Sequence, residues 1–306
     1  MPLLKVGDDG GLIQGSTSIA LDLERRMATL ARSSIPRDPA LAFLVHLLED
    51  YTDEWHMKGA FAWRWLLQDD DAVMWSARHV VADMITPASR EEVRSVATKF
   101  LTRQRLRVAL MGVGDGTGIV SCLQRDLLAL EQHIEDGQRF LFGSRPSLAD
   151  FAVFGQLSQL VLDYDSSKWL RENTPRLYAW TFALDEPSGI EGQWLETSEA
   201  YSPVVLSLLK NIGRFYMPYL DANARALAQG ADSFEVKLPG GAVAHQPPIE
   251  HQAASLHDLR AMYAMLNPKS RAKVQDVLEQ ANVVKYLVDT SASVGPTAAT
   301  SSSPSS

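Results

Sequence analysis

The sequence predicts a mostly α protein, on three observations. Apolar residues recur at helical spacing through most of the 306 residues; Leu41, Leu44, Leu48, Tyr51 and Trp55, for example, step by three and four. A sharp helix-start signal stands at Ser147-Leu148-Ala149-Asp150, followed at once by Phe151, Phe154, Leu157 and Leu160. Strand-like patterns are short and lie near the two ends. The layout is a ββα unit over 1–30, a helical domain over 39–185, a helical extension with a β-hairpin over 200–288, and a tail over 289–306.

Leu3-Leu4-Lys5-Val6 and Gly11-Leu12-Ile13-Gln14 read as strands around the turn sequence Gly7-Asp8-Asp9-Gly10. Ser16 or Thr17 then caps a helix carrying Ile19, Leu21 and Leu23. Residues 31–38 read as a linker. The long helix from about 39 runs into an aromatic cluster of Trp55, Phe61, Trp63 and Trp65, and helices follow over about 70–84 and 88–111. The glycine-rich stretch 112–118 interrupts the pattern as a flexible connection, and 119–136 resumes it. Residues 147–163 form the capped helix, and Pro175 starts a short one. Ser202-Pro203 opens a further helix that Pro218 should kink or interrupt. Phe234, Val236 and Leu238 alternate before Pro239-Gly240-Gly241, which predicts a hairpin over 233–245. Two helices split at Asn267-Pro268, and the Ser/Thr/Ala/Pro-rich tail carries nothing to bury, so disorder is expected there.

Net charge is −8 and 46% of residues are hydrophobic. That is enough apolar residue for a full core, and a mildly acidic chain gains nothing from a phosphate backbone, so nucleic acid is not an expected partner. The single cysteine, Cys122, excludes an internal disulfide framework and reads as a packed thiol. No apolar stretch has the length of a membrane span and no signal-peptide pattern is visible, so neither a membrane nor secretion is expected, and a cytoplasmic setting is.

Ser147 and Asp150 have the spacing of a capping box. The serine hydroxyl accepts from the N–H of residue 150, and the carboxylate reaches back to that of residue 147. Other groups read as structural. The Gly112–Gly118 loop follows a helix, the wrong context for a phosphate cradle. Lys99, Arg103 and Arg107 share one helix face, and a solvated face is the expected outcome. His245, His251 and His257 recur every six residues, which suits no helical metal pair, so no metal is expected.

Several segments, taken together, resemble the glutathione S-transferase family. Met1-Pro2-Leu3-Leu4-Lys5-Val6 is similar, from the proline onward, to the family's third strand, which is entered through a cis-proline. Leu12-Ile13-Gln14-Gly15-Ser16-Thr17-Ser18-Ile19 is similar to its fourth strand and following helix. The linker, the aromatic helix, the Ser147/Asp150 box and Pro175-Arg176-Leu177-Tyr178-Ala179-Trp180 come in family order.

The resemblance covers roughly 1–185 and implies a partial thioredoxin-like unit before an all-helical domain. It also implies glutathione as co-substrate and transfer of its thiolate to a small electrophile, with Pro2 and Ser16 as glutathione-binding positions. The corresponding helix borders the substrate pocket in the family, which gives Trp55, Met57, Phe61 and Trp65 as pocket residues; His56 and Arg64 are secondary candidates for a substrate anion. The chain departs from the family where it opens at the proline, without the strands, helices and thiol-activating residue that precede it there. Gly15 also stands where the family places an acidic residue or Gln. Homodimers are common in the family through the thioredoxin-like half. The alternative expectation is a non-catalytic binding or scaffold protein built on the helical domain.

Overall fold

The structure is a computed structural model that describes residues 2–7, 11–26 and 33–288. The predicted turn at 8–10 and the tail from 289 lie outside the described residues. Strands β1 (Leu3–Lys5) and β2 (Leu12–Gln14) pair antiparallel with Leu3 opposite Gln14, and α1 (Ser16–Arg26) follows.

The long helix is continuous but not uniform. It comprises α2 (Pro39–Tyr51), a π-turn at Thr52–His56, α3 (Met57–Ala62) and a second π-turn at Trp63–Leu67. Asp38 caps its start by accepting from Ala40 N–H at 3.0 Å, with Pro39 in the first turn where its missing N–H costs nothing. The apolar stripe of α2 packs on α7 (Leu148–Leu160), while α3 packs on α6 (Thr117–Glu135). Between them in sequence, α4 (Asp70–Met84) and α5 (Arg90–Ala109) pair as a helical hairpin. Ser89 and Glu92 form a complete capping box on α5, a spacing signal the sequence reading had passed over.

A helix not anticipated, α8 (Tyr164–Asn173), precedes α9 (Pro175–Asp185). Its apolar content is low, and Trp169 and Leu170 alone do not announce a stripe. Beyond it come α10 (Pro203–Asn211), a π-turn at Ile212–Tyr216 and α11 (Met217–Ala228). Pro218 does not end the helix. It sits in the first turn of α11, and the ladder is re-phased by the π-turn just before it.

The hairpin of β3 (Phe234–Lys237) and β4 (Val243–Gln246) has the predicted alternation, with Phe234 and Val236 buried and Glu235 and Lys237 exposed. The chain continues through α12 (Glu250–Met265), α13 (Pro268–Gln280) and α14 (Val284–Leu287).

One apolar core runs through the helical domain and the extension. α10 packs on α6, and α12 and α13 pack on α2. The loop at 112–118 is the hairpin's seat, not the flexible connection expected. A Cβ at Gly118 would overlap the Pro239 carbonyl oxygen, and one at Gly112 would press on Gln246 and Val236. Glycine is required at 118 by close backbone approach, and at 112 by a φ of 63° beside packed side chains.

Candidate functional site

The candidate site is the cleft between α1 and the α2/α7 pair. Gly15, at φ 96°, turns the chain from β2 into α1. Its N–H donates to the Pro2 carbonyl at 3.1 Å, which places Pro2 beside the start of α1, where Ser16 is exposed. The first-turn N–H groups of α1 have no intrahelical acceptor and give that end a positive potential. The Met1–Pro2 peptide itself involves a residue outside the described ones.

Thr17, one residue on, donates its hydroxyl to Glu49 of α2 at 2.5 Å. Ser16, Thr17, Glu49, Asp53, Phe151 and Gln156 are among the lining of a cavity of about 290 Å³. Burial pushes the Glu49 carboxyl up to about 8 against the pull of the Thr17 bond, and burial also raises Asp53. A carboxyl that titrates near neutrality in a cleft wall is suited to proton exchange. Farther along α1, Glu24, Arg145, Pro146, Leu148 and Phe151 help line a second cavity of about 360 Å³ that shares Ala20, Leu148 and Phe151 with the first. Pro146 and Phe151, which flank the Ser147–Asp150 box, thus share a cavity wall.

The clasp at the start of α7 supports this cleft. Asp150 is buried and accepts from Ser147 N–H at 2.8 Å, Ser147 Oγ at 2.6 Å and Leu141 N–H at 3.0 Å, while Ser147 Oγ accepts from Asp150 N–H at 3.4 Å. Burial lifts the Asp150 carboxyl to about 6 against those donors. Leu148 N–H donates to Ser34 of the linker at 2.9 Å, so the clasp also fixes the linker. Glu24 of α1 accepts from Ser33 and Ser34, and Arg145 donates to the Ser33 carbonyl.

The four predicted pocket residues do not converge. Trp55 is 1% exposed and packs on Tyr216 and Tyr219, with ring centroids 6.2 and 5.5 Å away. Trp65 is 2% exposed and meets Phe100 edge-on at 5.8 Å. Both are core residues, because the π-turns rotate them inward toward different neighbours. Met57 and Phe61 are half-buried on α3, Phe61 against the core. His56 is likewise buried, and Arg64 is held by Asp163 at 2.6 Å.

The sequence reading missed two buried polar hubs. Asp126 accepts from Tyr51 (2.8 Å) and Asn211 (2.7 Å) and bonds His56 Nε2 at 2.9 Å, joining α2, α6 and α10. Lys58 donates to the Met111 carbonyl at 2.7 Å and to Gln246 Oε1 at 2.5 Å, and lies 4.0 Å from the Tyr219 ring centre. Burial pushes Lys58 down to about 7. Both hubs are sealed from solvent, so they hold the fold and do not touch a ligand. The signal for them was a charge placed inside an apolar stripe: Asp126 among Leu123, Leu127 and Leu130, and Lys58 between Trp55 and Ala62. Cys122 is buried, and burial first, then Asp126, raises its thiol to about 11, far from an active thiolate.

Among the described residues no group of three or more His, Cys, Asp or Glu is placed to hold a metal ion, and no helix is long and apolar enough to cross a membrane.

Helix α7 of the helical domain thus starts at a buried serine–aspartate box, with a ββα unit packed beside it. Residues 88–181, from the α4–α5 turn into α9, match the family described as glutathione S-transferase, C-terminal domain. The chain is therefore glutathione-S-transferase-like. No curated protein and no solved structure gives a significant match.

Proposed function

We propose that the chain acts in glutathione-dependent chemistry, with the tripeptide held in the cleft between α1 and α2. The observation that carries this reading is the Gly15–Pro2 hydrogen bond, which sets Pro2 beside the exposed Ser16 at the positive end of α1. The residues suit the ligand. Ser16 and the first-turn N–H groups of α1 would bind a carboxylate. Asp53, across the cavity, would meet an ammonium group, the role that Gly15 cannot fill. Glu49 would hold or release a proton at its Oε atoms. The match of residues 88–181 to the glutathione S-transferase C-terminal domain supports glutathione and an electrophilic small molecule as substrates.

A second reading is favoured by one observation. Of the two hydroxyls on the α1 wall of the cleft, that of Thr17 is already donated to Glu49, and Cys122 is buried. A cleft that binds the tripeptide without activating its thiol would make this a non-catalytic binding protein.

Calorimetric titration with glutathione tests the first reading. Binding at about millimolar or tighter, weakened about tenfold by Ser16→Ala, is the expected result. No heat at millimolar ligand would overturn it. Binding without turnover of a chromogenic electrophile would select the second reading.

A further inference from the structure

The α4–α5 hairpin carries another concave site, lined by different elements and independent of the cleft reading. Arg78 and Ala82 stand one turn apart on α4, and Arg90, Val93 and Arg94 lie at i, i+3 and i+4 on α5. With Ala88 of the turn they line a cavity of about 500 Å³. Three cations and three small apolar side chains therefore share one open hollow.

No acidic side chain lines this cavity. Among the described residues none of the three guanidinium groups has an ion pair or hydrogen bond; the arginines that do are elsewhere, such as Arg64 on Asp163 and Arg105 on Asp70. The nearest acids in sequence do not serve them. Glu92 is taken up by the Ser89 cap, and Asp83 and Glu91 lie outside the cavity lining.

Three like charges converging on one hollow repel each other, and this occurs in a chain whose net charge is −8. A bound anion relieves that repulsion. Guanidinium forks match the oxygens of phosphate or carboxylate two at a time, and the volume is that of a small-molecule pocket, larger than a bare oxyanion needs.

We propose that this cavity binds a phosphate monoester with a compact apolar body. The dianionic phosphate sits among Arg78, Arg90 and Arg94, and the body lies on Ala82, Ala88 and Val93. A polyanion such as nucleic acid does not suit it, because three cations in a hollow cannot offset the repulsion of an acidic surface.

The test is calorimetric titration of the full chain with phenyl phosphate, phenol, benzoate and inorganic phosphate, beside co-sedimentation with vesicles containing phosphatidate. The variants are Arg78→Gln, Arg94→Gln and the double change. All three arginines are exposed, and circular dichroism would verify that the fold is retained. Phenyl phosphate should bind more tightly than benzoate or inorganic phosphate, with phenol silent. Each substitution should weaken it about tenfold, and added salt should weaken it further. A free ester or a vesicle headgroup as the bound source would each support the site, provided the double variant loses it. Equal affinity in the double variant, tighter binding of benzoate, or no binding of either phosphate source would overturn it.

Discussion

The two ends of the chain attach to the same helical domain in different ways. In the ββα unit, the central strand residues are half-buried and their neighbours exposed, and the buried residue of α1 is polar, Asp22. Leu3, Leu12 and Leu23 face solvent. The extension instead sends Val204, Leu208, Ile212, Tyr216 and Leu220 into the core that α2 and α6 share. It adds polar ties at Asp126–Asn211, Lys58–Gln246 and Asp50–Tyr216. Yet the sequence resemblance took in the first unit together with the helical domain and stopped near residue 185, short of the extension. Resemblance follows motif strings; integration follows buried apolar surface and satisfied polar groups.

The sharpest way to break this contrast is Asp126→Ala. It leaves Tyr51, His56 and Asn211 without their shared acceptor, so a loss of about 3–5 kcal/mol in urea unfolding is expected, with extension and domain melting together. Separate transitions would show that the core is not shared. Gly118→Val should cost on the order of 3 kcal/mol by forcing the hairpin off its seat, read by the same unfolding curve.

Asp150→Ala removes three accepted hydrogen bonds inside the domain and should cost about 2 kcal/mol. Thr17→Val should have the smallest effect. Hydrogen exchange should speed up across α1 by about tenfold while the global unfolding midpoint stays put. A fall in that midpoint would mean the ββα unit is as tightly coupled as the extension.

Stability against pH sharpens the same comparison. Glu49 and Asp50 hold their protons up to about 8 and 7 in the folded state because of burial, far above the values of 4.5 and 3.8 they recover on unfolding. From about pH 4 to 8 the unfolded chain therefore binds fewer protons, and stability falls as pH rises. Lys58 has the opposite sign. Burial holds it at about 7 against 10.5 unfolded, so above about pH 7 the unfolded chain binds more protons and stability rises. Near pH 9 the buried Cys122 begins to oppose that rise. A shallow minimum around pH 7–8 is expected in urea midpoints. Lys58→Met should flatten the alkaline limb and Glu49→Gln the acidic one.

Helices were legible wherever an apolar stripe coincided with a start signal, as at Ser147/Asp150 and Asn267-Pro268. The hairpin was legible from the alternation of Phe234 and Val236. α8 was not, because Asp163 and two apolar residues make too faint a pattern. The roles of Gly112 and Gly118 were not legible either, since close approach to residues 236–246 is a long-range fact. Of the cleft, Pro2 and Ser16 were reached through resemblance. Thr17, Glu49 and Asp53 came from geometry alone, because the facing wall is more than thirty residues away in sequence.

The two π-turns of the long helix have a consequence of their own. Each widened turn holds one residue more than a regular turn and so shifts the angular phase of everything after it. A single rod can then present one side to α7 and α12 before the shift and another to α5 and α6 after it. Deleting one residue from Thr52–His56 would remove the shift, and the indoles downstream would swing out of alignment with their partners. Loss of length here would be felt as a rotation.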